Sequence, residues 1–97
     1  MSTDTLARPA FDLDAGWALS PQVSVRPERF GALLYHFGTR RLSFLKSPTL
    51  LAVVTSLADH GTAREACVAA GVSADQLASY RAALTTLVES AMIGPRA

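Results

Sequence analysis

The side chains that most often catalyse reactions or bind metals are few and scattered in this chain of 97 residues. The two histidines, His36 and His60, have no third ligand nearby, so the spacing does not predict a metal site, and each is expected to be exposed or half-buried. Cys67 is the only cysteine, which rules out an intramolecular disulfide and favours a small buried residue in a helix. No phosphate-binding glycine loop and no Ser/His/Asp set is apparent. We therefore expect no catalytic residue, cofactor or metal, and interpret the chain as a binding module.

The basic residues are concentrated in one segment of the sequence. The formal net charge is only +1, yet five of the nine Lys and Arg residues lie between positions 26 and 46. They are Arg26, Arg29, Arg40, Arg41 and Lys46, and Glu28 is the only acid among them. A basic surface attracts an acidic partner by electrostatic steering, although a solvated face without a partner gives the same pattern.

Three strands are predicted to position this basic segment. Residues 22–26 alternate between apolar and polar, and residues 30–37 and 40–45 are expected to form the next two strands of an antiparallel meander. The third of these strands then has one unpaired edge. Flanking charges protect such an edge from aggregation, but the same edge can also bind an extended segment.

The connection between the second and third predicted strands fixes their register. Gly38-Thr39 is expected to form a two-residue type II′ turn, with glycine at its first position. That turn places Leu33 opposite Phe44 and Tyr35 opposite Leu42. We expect these four side chains to form the apolar face that packs against a helical layer, because an isolated hairpin is only marginally stable.

Three helices are predicted to follow the strands. Ser47-Pro48 is a typical start for the first, and the capping boxes Thr62–Glu65 and Ser73–Gln76 start the other two, the last of which runs to about Ser90. The predicted fold class is therefore α+β and winged-helix-like, with a three-stranded antiparallel sheet followed by three helices. The third helix carries its apolar side chains on one stripe, namely Leu77, Tyr80, Leu84, Leu87 and Val88.

The length permits one domain, which we expect to span residues 17–94 after a flexible tail at residues 1–16. Trp17 and Leu19 are the first large apolar residues expected to anchor it. No apolar run is long enough to span a bilayer, and no signal peptide is apparent. We therefore expect a cytoplasmic protein with no membrane partner.

Two binding hypotheses compete. The helix-turn-helix pattern AAGVSADQL suggests a winged-helix regulator that binds DNA, but its recognition helix begins with Asp75 and has only Arg81 to neutralise phosphate, so we expect no nucleic-acid partner. The alternative is β-augmentation, in which an extended peptide adds a strand to the free edge. The same edge could pair with a second copy to form a homodimer. The residues expected to contact a peptide are Arg40, Arg41, Leu42, Ser43, Phe44 and Leu45 on the strand, and Leu77, Tyr80, Arg81 and Leu84 on the third helix, where Tyr80 and Leu84 could equally belong to the core.

The segment WALSPQVSVRPERFGALLYHFGTRRLSFLKSPTLLAVV, residues 17–54, resembles a known family. It is similar to the PqqD-like peptide-recognition domains of ribosomal peptide natural-product pathways (RiPP recognition elements), and among these to the mycofactocin biosynthesis chaperones. The resemblance extends to residue 93, and ALLYHFGTRRLSFL is its most specific part. It implies a fold of three strands and three helices.

The resemblance also implies a role. Members of this family bind the leader region of a precursor peptide in the cleft between the third strand and the third helix, which correspond here to residues 41–45 and 74–84. They present the peptide to a radical S-adenosylmethionine (SAM) maturase, which decarboxylates the C-terminal Tyr of a Val-Tyr end and cross-links the two residues. The family member itself holds no iron–sulfur cluster, which is consistent with the single Cys67 here. A separate possibility is that the chain is an accessory domain of a larger catalyst.

Overall fold

A computed structural model describes residues 10–96 of the chain. The fold is mixed α+β, as predicted, and three of its strands form one antiparallel sheet that precedes the three helices. The 3₁₀ turns Leu57–Asp59 and Ala74–Gln76 follow the first helix and precede the third. The elements are β1 (Trp17–Leu19), β2 (Val23–Glu28), β3 (Gly31–His36), β4 (Leu42–Leu45), α1 (Pro48–Ser56), α2 (Ala63–Ala69), α3 (Leu77–Glu89) and β5 (Ile93–Pro95).

The three predicted strands correspond to β2, β3 and β4, which are hydrogen-bonded in that order. The predicted register between β3 and β4 is confirmed, because Leu33 pairs with Phe44 and Tyr35 pairs with Leu42. The predicted strand ends are less accurate. β4 begins at Leu42 rather than at residue 40, since the loop before it is longer than expected.

The predicted type II′ turn is wrong. His36 N–H donates to Arg41 O at 3.0 Å and Arg40 N–H donates to His36 O at 2.8 Å, so that four residues form the loop. The residue with a positive φ is Arg40 (64°) rather than Gly38. Nδ1 of His36 accepts hydrogen bonds from the backbone amides of Gly38 (3.0 Å) and Thr39 (3.1 Å). The His36 side chain, which is buried rather than exposed or half-buried, therefore shapes the loop in place of a glycine conformation.

The face of the sheet that packs against the helices is opposite to the predicted one. Ala32, Leu34 and Leu45 are buried in the core, whereas Leu42 and Phe44 are 61% and 60% exposed. Both faces of the hairpin carry large apolar side chains, so alternation in the sequence does not decide which one is buried. The packing of α1 against β3 decides it, and α1 contributes the fully buried Val53 and Val54.

Local signals predicted the helices well. Ser47 Oγ accepts a hydrogen bond from Leu50 N–H at 3.1 Å at the start of α1. Thr62 Oγ1 likewise accepts from Glu65 N–H at 3.1 Å at the start of α2. Cys67 in α2 is buried, as predicted. The predicted stripe of α3 lies on the core side, with Leu84, Leu87 and Val88 buried and Leu77 and Tyr80 packed partly against them.

A second, two-stranded sheet was not predicted from the sequence. β1 pairs with β5 in antiparallel orientation, with Trp17 opposite Pro95 and Leu19 opposite Ile93. Each strand has only three residues, which is too short for an alternating pattern to be recognised. Trp17 is buried, as predicted, and its Nε1–H donates to the backbone oxygen of Asp12 at 2.8 Å.

The folded region begins before Trp17, the first anchoring residue predicted. Phe11 and Leu13 are each only 8% exposed, and the rings of Phe11 and Trp17 are 5.0 Å apart. Arg64 N–H donates to the Leu13 carbonyl at 2.8 Å, which attaches this segment to α2. Residues 1–9 of the predicted tail lie outside the described residues. Within the described part of the chain, no helix has both the length and the apolar character needed to cross a membrane.

Candidate functional site

β4 is an edge strand, and the direction of its backbone groups follows from its hydrogen bonds to β3. His36 N–H donates to Arg41 O at 3.0 Å, so residues 36 and 41 form a hydrogen-bonded pair. Hydrogen-bonded pairs alternate with non-hydrogen-bonded pairs along an antiparallel ladder, so the next hydrogen-bonded pair is Leu34 with Ser43. The backbone groups of Ser43 therefore point toward β3, and those of its two neighbours point toward the free edge.

Leu42 and Phe44 are these neighbours. Each has one N–H and one C=O directed away from β3, and within residues 10–96 no further strand lies beyond β4 to pair with them. Their side chains are exposed on the face of the sheet opposite the helices. β4 can therefore offer two donors, two acceptors and two apolar side chains to an added strand.

The opposite edge of the sheet, along β2, is less suited to strand addition. The backbone groups that point away from β3 belong to Val23, Val25 and Pro27, by the same alternation. Val23 N–H already donates to the Ser20 carbonyl at 3.0 Å, and proline has no N–H. Only Val25 within β2 has a free outward donor, so the sheet has one open edge and one largely blocked edge.

Positive charge flanks the open edge. Arg40 and Arg41 precede β4, Lys46 follows it, and all three side chains are exposed. Within residues 10–96, none of these three has a carboxylate oxygen within 4 Å, whereas Arg26 on β2 pairs with Glu28 at 2.8 Å. The charges of Arg40, Arg41 and Lys46 are therefore available to an acidic partner.

Two predicted site residues have buried side chains. Leu45 is 1% exposed and Leu84 is fully buried, so both side chains belong to the core. Leu77 and Tyr80 are half-buried and pack against that core, which leaves part of each side chain accessible. Of the predicted helix residues, these two are the ones that could contact a ligand through apolar atoms.

Arg81 is exposed, but its surroundings differ from those predicted. It lines a pocket of about 430 Å³ together with Phe11, Asp12, Asp14 and Arg64. β4 packs mainly against β3 and α1, and α3 packs against β5. The structure therefore groups the predicted residues of the strand, but it places Arg81 beside the N-terminal segment.

A larger apolar cavity of about 560 Å³ lies between β1, β5 and the end of α3. Leu19, Val88 and Ile93 line it, together with Pro21 and the buried His36. None of the predicted peptide-contacting residues borders this cavity, so it is separate from the open edge.

Asp14, Arg64 and Cys67, all away from β4, have shifted pKa values. The hydrogen bond from Arg64 Nε, which is 2.8 Å from Asp14 Oδ1, lowers the pKa of that carboxyl. Burial raises the pKa of the Cys67 thiol, and the nearby Arg64 charge only partly opposes this. Burial of an uncharged thiol is typical of a structural cysteine and not of a nucleophile.

Comparison with known proteins identifies the family. The model of the peptide chaperone MftB family matches residues 16–94, which include all five strands and all three helices except the last residue of β5. The chain belongs to the peptide chaperone MftB family. Its match to the MftB family confirms the resemblance to the mycofactocin chaperones found in residues 17–93.

Curated members of the MftB family are similar over most of their length. The peptide chaperone MftB of Mycolicibacterium smegmatis is 59% identical over 95 residues, which cover 98% of this chain and 93% of the relative. The peptide chaperone MftB of Mycobacterium ulcerans is 62% identical over 87 residues, which cover 90% of this chain and 80% of the relative. That of Mycobacterium tuberculosis is 59% identical over 86 residues, or 89% of this chain and 79% of the relative. No solved structure matches the chain significantly.

Proposed function

We propose that the chain binds the leader region of the mycofactocin precursor peptide as an additional strand on β4, and presents the peptide to a radical SAM maturase. The observation that carries the proposal is the open edge of β4, where the outward backbone groups of Leu42 and Phe44 have no strand partner within residues 10–96. The curated relatives are named peptide chaperones, which supports a peptide as the ligand.

Backbone hydrogen bonds alone do not give tight binding at this edge. Leu42 and Phe44 offer four groups, and each hydrogen bond contributes about 0.5–1.5 kcal/mol net. Binding a peptide also costs translational and conformational entropy. Apolar contacts must therefore supply much of the affinity. Leu42 and Phe44 provide them on the outer face of the sheet, and we expect the accessible parts of Leu77 and Tyr80 to add to them where the peptide reaches α3.

The positive charges beside β4 should raise the rate and the selectivity of peptide binding. Arg40 and Arg41 at the start of β4 and Lys46 after its end attract an acidic peptide over several ångströms. Rim charges of this kind mainly raise the association rate and make it depend on salt. We therefore expect the segment of the leader that pairs with β4 to be apolar with acidic residues at its ends.

The chain acts without catalysing a reaction in this proposal. A protein that holds the peptide and also binds the maturase makes delivery effectively intramolecular, so a weak contact between maturase and peptide is sufficient. An unoccupied β4 could instead pair with a second copy of the chain. The peptide would then compete with that pairing, because both need the same backbone groups.

Calorimetric titration tests the proposal. The protein is titrated with the leader region of the precursor, with a scrambled peptide of the same composition, and with a double-stranded DNA fragment at the same salt concentration. We expect saturable binding of the leader and no comparable binding of the other two. Binding of DNA but not of the leader would support the winged-helix regulator, and equal binding of leader and scrambled peptide would remove the case for specific recognition.

A further inference from the structure

On the face of the sheet that lies opposite the helices, β3 and β4 carry apolar side chains that face solvent, whereas β2 contributes the exposed Ser24 and Arg26. Phe44 and Leu42 on β4 are 60% and 61% exposed, and Phe37 and Phe30 at the two ends of β3 are 59% and 47% exposed. Leu33 and Tyr35 lie between them and are half-buried. We call this set the outer patch, and its members are Phe30, Leu33, Tyr35, Phe37, Leu42 and Phe44.

The side chains of the outer patch contact one another. Leu33 pairs with Phe44 and Tyr35 pairs with Leu42, and both pairs fall between the hydrogen-bonded pairs of the ladder, where opposed side chains are closest. The rings of Phe30 and Phe44 are 6.3 Å apart at their centroids. The patch is therefore one continuous surface, of the kind that usually marks an interaction site on a folded protein.

Charges around the outer patch indicate what covers it. Arg26 on β2 borders the patch opposite Leu33, but its charge is paired with Glu28 at 2.8 Å. Arg29 adjoins Phe30, Arg40 lies in the loop after Phe37, and Lys46 follows β4. Within residues 10–96 these three side chains have no carboxylate within 4 Å. A second copy docked through the same patch would bring basic rims together, which is unfavourable. A partner with an apolar centre and an acidic rim fits better.

We propose that the outer patch is the docking surface for the peptide-modifying enzyme, which contributes an apolar surface with acidic residues around it. This inference rests on the proposed function, and it names the surface on which the second partner binds. A peptide strand added to β4 continues the sheet beyond Leu42 and Phe44, so every second side chain of the peptide emerges on the same face as the outer patch. An enzyme seated on the patch therefore contacts the chaperone and the peptide together.

The size of the patch suits a transient complex. Two strands about 4.8 Å apart and about 20 Å long, with a phenylalanine at each end of β3, present roughly 200–300 Å² of flat surface. Stable complexes bury about 800 Å² on each partner. The enzyme should therefore bind more weakly to the chaperone alone than to the chaperone with its peptide, because the peptide enlarges the contact.

The test uses the double variant Phe30→Ser/Phe37→Ser, which changes the outer patch at the two ends of β3 and leaves β4 intact. Val68→Ser is the matched control, since Val68 is 63% exposed on α2, in the helical layer. For both variants and the parent chain, calorimetry measures the affinity for the leader peptide and for the purified radical SAM maturase of the pathway. Far-ultraviolet circular dichroism verifies that each variant is folded.

We expect the double variant to lose about tenfold or more in affinity for the maturase and less than about twofold for the leader, since exposed aromatic anchors dominate interfaces. The control should keep both affinities. Unchanged maturase affinity in the folded double variant would overturn the inference. An equal loss of both affinities would assign the patch to the peptide, which also overturns it.

Further outcomes separate this inference from the proposed function. If the parent chain binds the leader but not the maturase, the proposal of leader binding is supported and the inferred docking surface is overturned. If it binds no leader, the proposed function is wrong, and the inference that rests on it is overturned as well. If the parent chain instead dimerises, or binds vesicles of anionic phospholipid, in a way that the double variant abolishes while maturase affinity is unchanged, the patch serves another partner and the inference is wrong.

Discussion

Leu33 on β3 lies directly opposite Phe44 on β4, and both side chains project from the face of the sheet opposite α1. The residues before and after them, such as Leu34 and Leu45, project into the core. One hairpin therefore provides part of the core on one face and an apolar surface on the other. The open backbone edge of β4 runs between these two surfaces.

The first prediction concerns the backbone of Phe44. Phe44→Pro removes the outward N–H without breaking a bond to β3, so the fold should persist, whereas Phe44→Ala removes only the ring. We expect Phe44→Pro to bind the leader about fivefold to tenfold more weakly than Phe44→Ala, because one hydrogen bond of about 1 kcal/mol is lost and its acceptor is left unpaired. Calorimetry measures both affinities.

The control for this variant is Ser43→Pro. The N–H of Ser43 points toward β3, so this change should destabilise the sheet itself, as seen by a lower midpoint of urea unfolding. Equal leader affinities for Phe44→Pro and Phe44→Ala would show that the β4 edge does not bind the peptide through its backbone.

The second prediction concerns charge. Arg40→Glu/Arg41→Glu should weaken leader binding by about 1–2 kcal/mol, since two attractive contacts with exposed charges become repulsive. The loss should appear mainly in the association rate and should shrink at high salt. Arg81→Glu is the matched control, because Arg81 is exposed but lies beside the N-terminal segment, and it should leave leader affinity unchanged. If only Arg81→Glu weakens binding, the basic edge is not the peptide site.

The third prediction concerns the start of the folded region. Phe11→Ala should lower the free energy of unfolding by about 3 kcal/mol, because it empties a buried site beside Trp17. Phe30→Ala is the control, since that ring is nearly half exposed and its loss should cost less than about 1 kcal/mol. Urea unfolding measures both. Similar stabilities for the two variants would mean that the segment around Phe11 is not part of the core.

Much of the fold could be predicted because it depends on neighbouring residues. The cap at Ser47, the start of α2 at Thr62 and the register of β3 with β4 each follow from residues close in sequence. The pairing of β1 with β5 joins the two ends of the domain through three residues each, and no local pattern encodes it. The choice of the buried sheet face likewise depends on where α1 packs.

The candidate site was predictable only in part, for a related reason. A two-residue turn would make residues 37 and 40 a hydrogen-bonded pair and would point Ser43 N–H toward the free edge. The four-residue loop, which the His36 side chain stabilises, makes residues 36 and 41 the first hydrogen-bonded pair instead. The backbone groups of Ser43 therefore point toward β3, and those of Leu42 and Phe44 point toward the free edge. The edge strand could therefore be identified from the sequence, but the backbone groups that it exposes could not.

The fourth prediction concerns pH. Burial raises the pKa of the Cys67 thiol, so the folded chain keeps this proton at pH values where the unfolded chain has released it. The folded state then binds more protons than the unfolded state, and stability falls as the pH rises above the ordinary thiol pKa of about 8.5. Cys67→Ala removes this contribution.

Urea unfolding of both proteins between pH 7 and pH 10 measures the effect. The stability advantage of the parent chain over Cys67→Ala should decrease through this range. A constant difference would show that the thiol does not titrate differently in the two states.

The most direct test of peptide binding at the β4 edge is amide hydrogen exchange, measured by nuclear magnetic resonance with and without the leader peptide. Strand addition should slow exchange at Leu42 and Phe44 about tenfold or more at saturating peptide, while Val25 on the opposite edge keeps its rate. Saturable leader binding that leaves Leu42 and Phe44 unprotected, or that protects Val25 instead, would contradict the account.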